Sequence, residues 1–203
     1  MRKWRGYNAR AMSLQDHIHS RYLASLSAQR DAIEQLAEPL ARAAELMVGS
    51  LLREGKILAC GQAGGRDAAR LFASLLCNQH QQARPGLAAI ALDGNARALA
   101  DEADSGEAIA RQVACLGHAG DVLLAISGTG NAPGVLAALH SAHDKGLRVI
   151  VLAGGDGGLL AEALNEDDVV ICTFAESAAF TRELHLRAIH SLCDGIDYLL
   201  LGA

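Results

Sequence analysis

The residues best suited to bind an anion lie in three glycine-rich segments. Each segment follows a short apolar run that is typical of a buried strand. The three segments are Gly61-Gln62-Ala63-Gly64-Gly65-Arg66, Ser127-Gly128-Thr129-Gly130-Asn131 and Gly154-Gly155-Asp156-Gly157-Gly158. Small residues let backbone N–H groups approach a phosphate, and a helix that begins at such a turn adds the positive end of its dipole. The pattern therefore predicts a phosphate-binding site.

Side chains in the first two segments extend this prediction. Arg66 falls in the first turn of a predicted helix and has the geometry for a bidentate contact with phosphate. Ser127 and Thr129 add hydroxyl donors. The predicted binding residues are Gly61, Gln62, Gly64, Gly65, Arg66, Ser127, Gly128, Thr129, Gly130 and Asn131. The alternative is that these glycines only form the turns that any parallel sheet needs.

Two common nucleotide-binding motifs are missing from these segments. No segment matches GxxxxGK[ST], and GxGxxG does not follow the first predicted strand. The sequence therefore disfavours a P-loop NTPase and a dinucleotide-binding enzyme.

Five short apolar runs alternate with helix-like stretches and would position the segments. The runs are Ile57–Cys60, Leu87–Leu92, Val122–Ile126, Val149–Leu152 and Val169–Cys172. Strands that are apolar throughout are buried on both faces, as in a parallel sheet covered by helices. The sequence predicts a three-layer, doubly wound α/β fold with five parallel strands, in which ligands bind outside the carboxyl ends of the strands.

Helical patterns flank this alternating region. Ser13 to Arg53 has helical periodicity, and Pro39 is placed to start a second helix, so two N-terminal helices are predicted. The last helix is predicted from Ser177 to about Leu201, and its end is apolar all round. Such a helix must be buried, which predicts that it packs between subunits of an oligomer.

Length and composition restrict the remaining possibilities. The 203 residues predict one domain over 13–203, after a basic and disordered extension over 1–12. A net charge of −5 disfavours direct nucleic-acid binding, and no apolar run reaches the roughly 18 residues of a membrane span. Five scattered cysteines without a CxxC pair favour reduced thiols in a cytoplasmic protein.

Several stretches resemble the sugar isomerase (SIS) domain family. They are LACGQAGGRDAARLFASLL, RPGLAAIAL, GHAGDVLLAISGTGN, DGG and HLRAIHSLCDGID. Within the family they resemble the phosphoheptose isomerase branch, and most of all a non-catalytic bacterial member that associates with the replication initiator DnaA. The resemblance implies a flavodoxin-like five-stranded sheet, phosphosugar binding and a homotetramer built on the N- and C-terminal helices.

The resemblance also implies catalytic and metal-binding side chains that this sequence lacks. The phosphate-binding serine of the family falls at Gly65. Its metal-binding histidine falls at Leu71, its catalytic glutamate at Leu75 and its metal-binding glutamine at Arg182. Only the family's catalytic and metal-binding histidine has a counterpart, His190. The sequence therefore predicts no metal and no cofactor, with His190 as a residual catalytic candidate.

These substitutions lead to a functional expectation. It is a non-catalytic, tetrameric, phosphosugar-binding scaffold that contacts DnaA and regulates replication initiation, with Leu200 and Leu201 in the contact. The alternatives are a sedoheptulose 7-phosphate isomerase with a rearranged site and a phosphosugar sensor. An acidic cluster offers substitute carboxylates for an isomerase, but it also fits a solvated loop before a helix. Its members are Asp101, Glu102, Asp104 and Glu107.

Overall fold

The computed structural model describes residues 12–92 and 107–202. Five parallel strands form one sheet in the order β2-β1-β3-β4-β5. The strands are β1 (Ile57–Gly61), β2 (Ala89–Ala91), β3 (Val122–Ser127), β4 (Arg148–Gly154) and β5 (Val169–Thr173). The helices are α1 (Leu14–Leu51), α2 (Gly64–Cys77), α3 (Ala108–Leu116), α4 (Pro133–Asp144), α5 (Gly158–Glu162) and α6 (Ala178–Leu201). The predicted doubly wound α/β fold is confirmed.

The strand order fixes where a ligand site forms. From β1 the chain passes to β2 on one side and then returns to β3 on the other side, so the switch point lies between β1 and β3. Gly61 at the end of β1 pairs with Ile126 of β3. The loops after these two strands therefore diverge from adjacent positions and leave a crevice between them.

Both faces of the sheet are buried, which explains the continuous apolar runs. Ile57 and Ala59 point into a core beneath α1, α2 and α6. Leu58 and Cys60, the alternate residues of the same strand, point into a second core beneath α3 and α4. Burial raises the pKa of the Cys60 thiol to about 12, so this cysteine is an inert core residue.

The prediction of two N-terminal helices is wrong, because α1 is one helix of 38 residues with Pro39 inside it. A proline within a helix removes one hydrogen bond and costs about 3 kcal/mol. Residues on both sides of Pro39, including Leu36, Leu40 and Met47, are buried in the same core. Burying each such side chain contributes about 1.5–3 kcal/mol, so packing offsets the cost of the proline.

Strand and helix ends differ from the predictions by a few residues. β2 is shorter than the predicted Leu87–Leu92, since it is an edge strand that pairs only with β1. α2 begins at Gly64, two residues before the predicted start at Arg66, so the glycine turn is already helical. This early start decides which residues of the turn face the crevice.

Some predictions fall outside the described residues. These are the extension over 1–12, apart from Met12, and the carboxylates Asp101, Glu102 and Asp104. Glu107 is described and precedes α3. Among residues 12–92 and 107–202, no helix combines the length and apolar character of a membrane span.

Candidate functional site

A cavity of about 440 Å³ opens at the carboxyl ends of β1 and β3 and is closed on a third side by α6. Its walls include six of the ten residues that the sequence predicts to bind phosphate. They are Gln62, Gly64, Gly65, Ser127, Gly128 and Thr129. The structure therefore brings the first two glycine-rich segments to one cavity, which we call the loop cavity.

The turn from β1 into α2 is tight because its glycines allow close backbone contact. A side chain on Gly61 would collide with the backbone of Gly65. The Gly65 N–H donates to the Gln62 carbonyl at 3.0 Å, and the Gln62 side chain accepts from the Gly134 N–H of α4 at 3.3 Å. These bonds hold the start of α2 against α4, at the rim of the loop cavity.

Ala63 is strained within this turn. It has φ 50° and ψ −125°, a conformation that favours glycine. Strain of this kind costs on the order of 1–3 kcal/mol and is common at binding sites. Ala63 lines the loop cavity, so the strained peptide lies at the site itself.

The loop after β3 is shaped by its own hydroxyl groups. Ser127 is 2% exposed, and its Oγ accepts a hydrogen bond from the Gly130 N–H at 3.0 Å. The Thr129 Oγ1 accepts from the Asn131 N–H at 3.4 Å. This folding places Ser127, Gly128 and Thr129 side by side in the cavity wall.

Four of the predicted binding residues do not line the loop cavity. Gly61 packs against Gly65, and Gly130 packs against Gly157 at a φ of +71°. Asn131 fastens the loop to α5, because its Oδ1 accepts from the Leu159 N–H at 3.1 Å. The third glycine segment thus supports the second from behind and does not line the cavity. Arg66 is the fourth.

Arg66 misses the loop cavity because of helical geometry. The residues of α2 in the cavity wall include Gly64, Asp67, Ala68 and Leu71, which are spaced three or four apart. This spacing marks one face of a helix. Arg66 lies two positions after Gly64, about 200° around the helix, and so it is off that face. The proposed contact of its guanidinium with phosphate is therefore not supported by its position.

α6 adds a polar group that the sequence analysis missed. His185 lines the loop cavity and is only 4% exposed. It follows Ala178, Thr181 and Arg182, also in the wall, at helical spacing. His185 and His190 are five positions apart on α6, so they point to different sides of the helix. The useful signal was instead the spacing of three residues between Arg182 and His185.

The imidazole of His185 is held in one orientation. It hydrogen bonds to the Ala153 backbone carbonyl, at the end of β4. Its Nε2 atom has no hydrogen-bond partner among the described residues. Burial is the main cause that lowers the pKa of His185 from 6.5 to about 4, and the bond to Ala153 opposes this change only in part. The ring is therefore neutral at physiological pH.

His190, the residual catalytic candidate, lies elsewhere. It lines a separate cavity of about 680 Å³ between α1 and α6, together with Arg21 and Glu183. Its ring packs edge-on against His80, with 5.2 Å between the ring centroids. The Nε2 of His80 is 3.0 Å from a carboxylate oxygen of Asp194. Within this chain His190 does not meet the loop cavity.

The metal implied by the family resemblance does not fit the residues of this site. Leu71 and Arg182 line the loop cavity, and Leu75 packs against the core beneath α1. Leucine has no donor atom, and a guanidinium places a cation where a zinc ion would need a ligand. Across residues 12–92 and 107–202, no three His, Cys, Asp or Glu side chains are grouped to hold a metal ion.

Two residues of opposite charge, Asp67 of α2 and Arg182 of α6, line the loop cavity. Arg182 of α6 is exposed, and its side chain packs over Gly64 at the start of α2. Asp67 of α2 is also exposed and lies 3.9 Å from Arg70. The wall therefore combines hydroxyl groups, glycine backbone, one guanidinium, one carboxylate and a neutral imidazole. Such a mixture suits a phosphorylated polyol better than an apolar ligand.

Comparisons with known proteins place this arrangement in context. Residues 21–154 match the SIS domain family. A phosphoheptose isomerase of Aromatoleum aromaticum is 45% identical over 94% of this chain and 98% of its own length. A phosphoheptose isomerase of Thiobacillus denitrificans is 46% identical over the same shares of the two chains.

Solved structures agree with these relatives. The phosphoheptose isomerase of Neisseria gonorrhoeae superposes with a TM-score of 0.83 at 37% identity, covering 91% of this chain and 99% of that one. The phosphoheptose isomerase of Francisella tularensis superposes with a TM-score of 0.85 at 36% identity, covering 92% and 99%. The fold is thus shared over nearly the full length of these enzymes.

These relatives overturn the interpretation as a non-catalytic DnaA scaffold. Relatives 41–46% identical over at least 93% of the chain are phosphoheptose isomerases. The expectation that the chain is not an enzyme is wrong for the same reason. That expectation relied mainly on the side chains missing at Leu71, Leu75 and Arg182, and the identity to these enzymes outweighs those losses.

Proposed function

Because the chain belongs to the SIS domain family, we propose that it binds a phosphosugar in the loop cavity and isomerises it between ketose and aldose forms. The substrate class is a phosphoheptose such as sedoheptulose 7-phosphate, which the names of its relatives support. The observation that carries the proposal is the convergence of two glycine loops on one polar cavity at the switch point of the sheet.

The phosphate is bound by the loop after β3 and the start of α2. Ser127 and Thr129 offer hydroxyl groups, and Gly64, Gly65 and Gly128 let backbone atoms approach closely. α2 is 14 residues long, so its positive end adds to the attraction for an anion. A cavity of about 440 Å³ is also within the usual size range of small-molecule sites.

Isomerisation moves a proton between neighbouring carbons of the sugar. A base removes a proton from C1 of the ketose, the carbonyl oxygen at C2 gains negative charge, and a proton is then delivered to C2. Arg182 in the cavity wall supplies a positive charge that stabilises the enediolate. The described residues around the cavity do not fit a metal ion, so the groups that act on the sugar are side chains of the chain itself.

We further propose that the chain is a homotetramer. Apolar side chains of α1 are exposed on the single chain, among them Leu14, Ile18, Tyr22 and Leu26. Tyr198 and Leu201 of α6 are exposed as well. A second copy that covers these faces removes them from water. Light scattering coupled to size-exclusion chromatography measures the assembly mass, and a monomer at micromolar concentration contradicts the proposal.

The DnaA contact at Leu200 and Leu201 stays an untested prediction. Leu200 is half-buried against the core beneath α1, and Leu201 is 45% exposed. Neither residue lies at the loop cavity, so the proposed isomerase activity does not depend on them.

The test of the proposed function measures binding and turnover separately. Purified protein is incubated with sedoheptulose 7-phosphate, with and without added zinc, and the aldose phosphate is quantified. We expect turnover, together with a rise in Tm on adding the sugar phosphate. No turnover under any of these conditions refutes the isomerase activity, whatever the binding result.

Separate variants test whether Ser127 and Thr129 bind the phosphate. We expect Ser127→Ala combined with Thr129→Ala to lose at least tenfold in sugar-phosphate affinity, since two hydroxyl contacts are removed. Ser74→Ala is the matched control, because Ser74 is an exposed hydroxyl on α2 that bonds only to the nearby Asn78 among the described residues. Equal ligand-induced Tm shifts in the double variant and the wild type would place the phosphate elsewhere.

A further inference from the structure

Three properties of His185 together indicate that it contacts a ligand. It is 96% buried, its ring is tethered to the backbone, and one ring nitrogen has no hydrogen-bond partner among the described residues. A buried polar atom left without a partner costs about 1–3 kcal/mol. It is retained at the wall of the loop cavity, where a bound ligand would satisfy it.

The hydrogen bond to Ala153 determines which nitrogen carries the proton. Nε2 has no partner, so the ring atom that bonds the Ala153 carbonyl is Nδ1. A carbonyl oxygen only accepts, so Nδ1 is the donor. In the neutral ring the proton is therefore on Nδ1, and Nε2 keeps a free lone pair. A nitrogen lone pair in this state is a proton acceptor.

The neutral ring also has suitable basicity. With a pKa of about 4, His185 has the basicity of an ordinary glutamate, whose pKa is about 4.3. Like a carboxylate, it is unprotonated at neutral pH and ready to accept a proton. Unlike a carboxylate, it carries no negative charge, so it does not repel a bound sugar phosphate.

We propose that His185 Nε2 is the base that moves the proton between C1 and C2 of the phosphosugar. This inference rests on the proposed isomerase function and assigns its central step. Nε2 exposes less than 1 Å² in the free chain, so the sugar contacts it after a small displacement of the cavity wall. The exposed Arg182 side chain is the longest in that wall and can move without disturbing the core.

The step balances without any further reactant. Nε2 takes the proton from C1, the electrons of that C–H bond form the C1–C2 double bond, and the C2 carbonyl becomes an enolate oxygen. The imidazolium then returns the proton to C2, and the C1 hydroxyl proton passes to the oxygen on C2. The C1 oxygen becomes the aldehyde carbonyl, and His185 regains its lone pair.

Other titratable groups near the cavity are less suited to this step. Asp67 is exposed, with 83% of its side chain in solvent, and lies beside Arg70. Arg182 is a permanent cation and does not accept a proton. His190 belongs to the cavity between α1 and α6. Among the described residues that line the loop cavity, His185 is the buried one with a free basic atom.

The test uses an asparagine in place of the histidine. His185→Asn keeps an N–H close to the position of Nδ1 and so retains the bond to Ala153, but it has no basic atom at the position of Nε2. We expect kcat for sedoheptulose 7-phosphate to fall 100-fold to 10,000-fold, the usual range for a general base. We expect KM and the Tm shift caused by the sugar phosphate to stay within threefold and 1 °C of the wild type.

A second measurement follows the proton itself. In deuterated solvent the wild type incorporates deuterium at C1 of the ketose, because the proton on Nε2 exchanges before it returns, and His185→Asn does not. His140→Asn is the matched control, because His140 is an exposed histidine on α4 that does not line the loop cavity, and it retains both turnover and exchange. If His185→Asn binds the sugar phosphate and retains turnover within tenfold of the wild type, the assignment is wrong.

The outcomes separate the two proposals. Turnover by the wild type that survives in His185→Asn overturns the role of His185 and leaves the isomerase function standing. Absence of turnover in the wild type overturns both. If His185→Asn unfolds, His185→Gln is measured in its place. Free imidazole should restore activity to a folded His185→Ala variant, and failure to do so counts against His185 as the base.

Discussion

His185 makes the stability of the folded chain depend on pH in a defined window. Its pKa is lowered from 6.5 in the unfolded chain to about 4 in the folded chain, mainly by burial. Between these values the unfolded chain binds more protons than the folded chain, so acidification favours unfolding. The full effect of this lowered pKa on the free energy of unfolding is on the order of 3–4 kcal/mol.

The measurable part lies between pH 7 and pH 5. Over that interval His185 accounts for a loss of about 2 kcal/mol in the free energy of unfolding, by the linkage relation. Urea unfolding of the wild type and of His185→Asn is measured at both pH values and at one protein concentration, since assembly also affects stability. We expect the loss on acidification to be about 2 kcal/mol smaller in the variant.

His190→Asn is the control for the pH dependence of stability. His190→Asn retains the contribution of His185, because that ring is unchanged. Asp67 and Arg182 are the charged residues in the same cavity wall, and they remain in every variant. If His185→Asn and the wild type lose equal stability within about 0.5 kcal/mol, the ring is not held neutral by burial. A protonated ring has no lone pair on Nε2, so the proposed role of Nε2 as a base would then fail too.

Two further predictions concern stability. Ala63→Gly relieves the backbone strain at φ 50° but makes the unfolded chain more flexible. We expect a net increase of about 0.5–2 kcal/mol in the free energy of unfolding, measured in urea, and any decrease contradicts this. Asp121 is 3% exposed and accepts hydrogen bonds from Lys56 and His118. Burial acts to raise the pKa of Asp121, but these bonds outweigh it and lower the pKa below 3.8. We expect Asp121→Asn to lower the free energy of unfolding by about 1–3 kcal/mol at pH 7. The difference from the wild type should shrink below pH 3.8, because the stabilising ionised carboxylate is lost there. Equal stability of the two proteins at pH 7 would refute the prediction.

The strands and the turns that follow them were predictable from sequence. A parallel strand buried on both faces must be apolar throughout, so an apolar run such as Val122–Ile126 predicts a buried strand. Glycine and hydroxyl residues directly after such runs lie at the ligand-binding edge in any doubly wound sheet. Ser127, Gly128 and Thr129 follow such a run, and in the folded chain they line the loop cavity at that edge.

The sequence did not decide which members of each turn face the ligand. The helical spacing of α2 places Asp67 and Leu71 in the cavity wall and leaves Arg66 off that face. Helix starts are set by local packing and by caps, and α2 has no side-chain cap that marks its start. Pro39 shows the same limit, since buried residues on both sides of it kept α1 continuous.

The choice between His185 and His190 belonged to the tertiary structure alone. Both residues lie on α6, five positions apart, and the family resemblance singles out His190 rather than His185. The packing of α6 against α2 and β4 turns His185 to the loop cavity and His190 toward α1. Sequence by itself determined a parallel sheet with glycine-rich turns after its strands, because secondary structure and its turns follow from local residue patterns. The fold decided which side chains line the loop cavity, because that depends on the rotation of one helix against the rest of the chain.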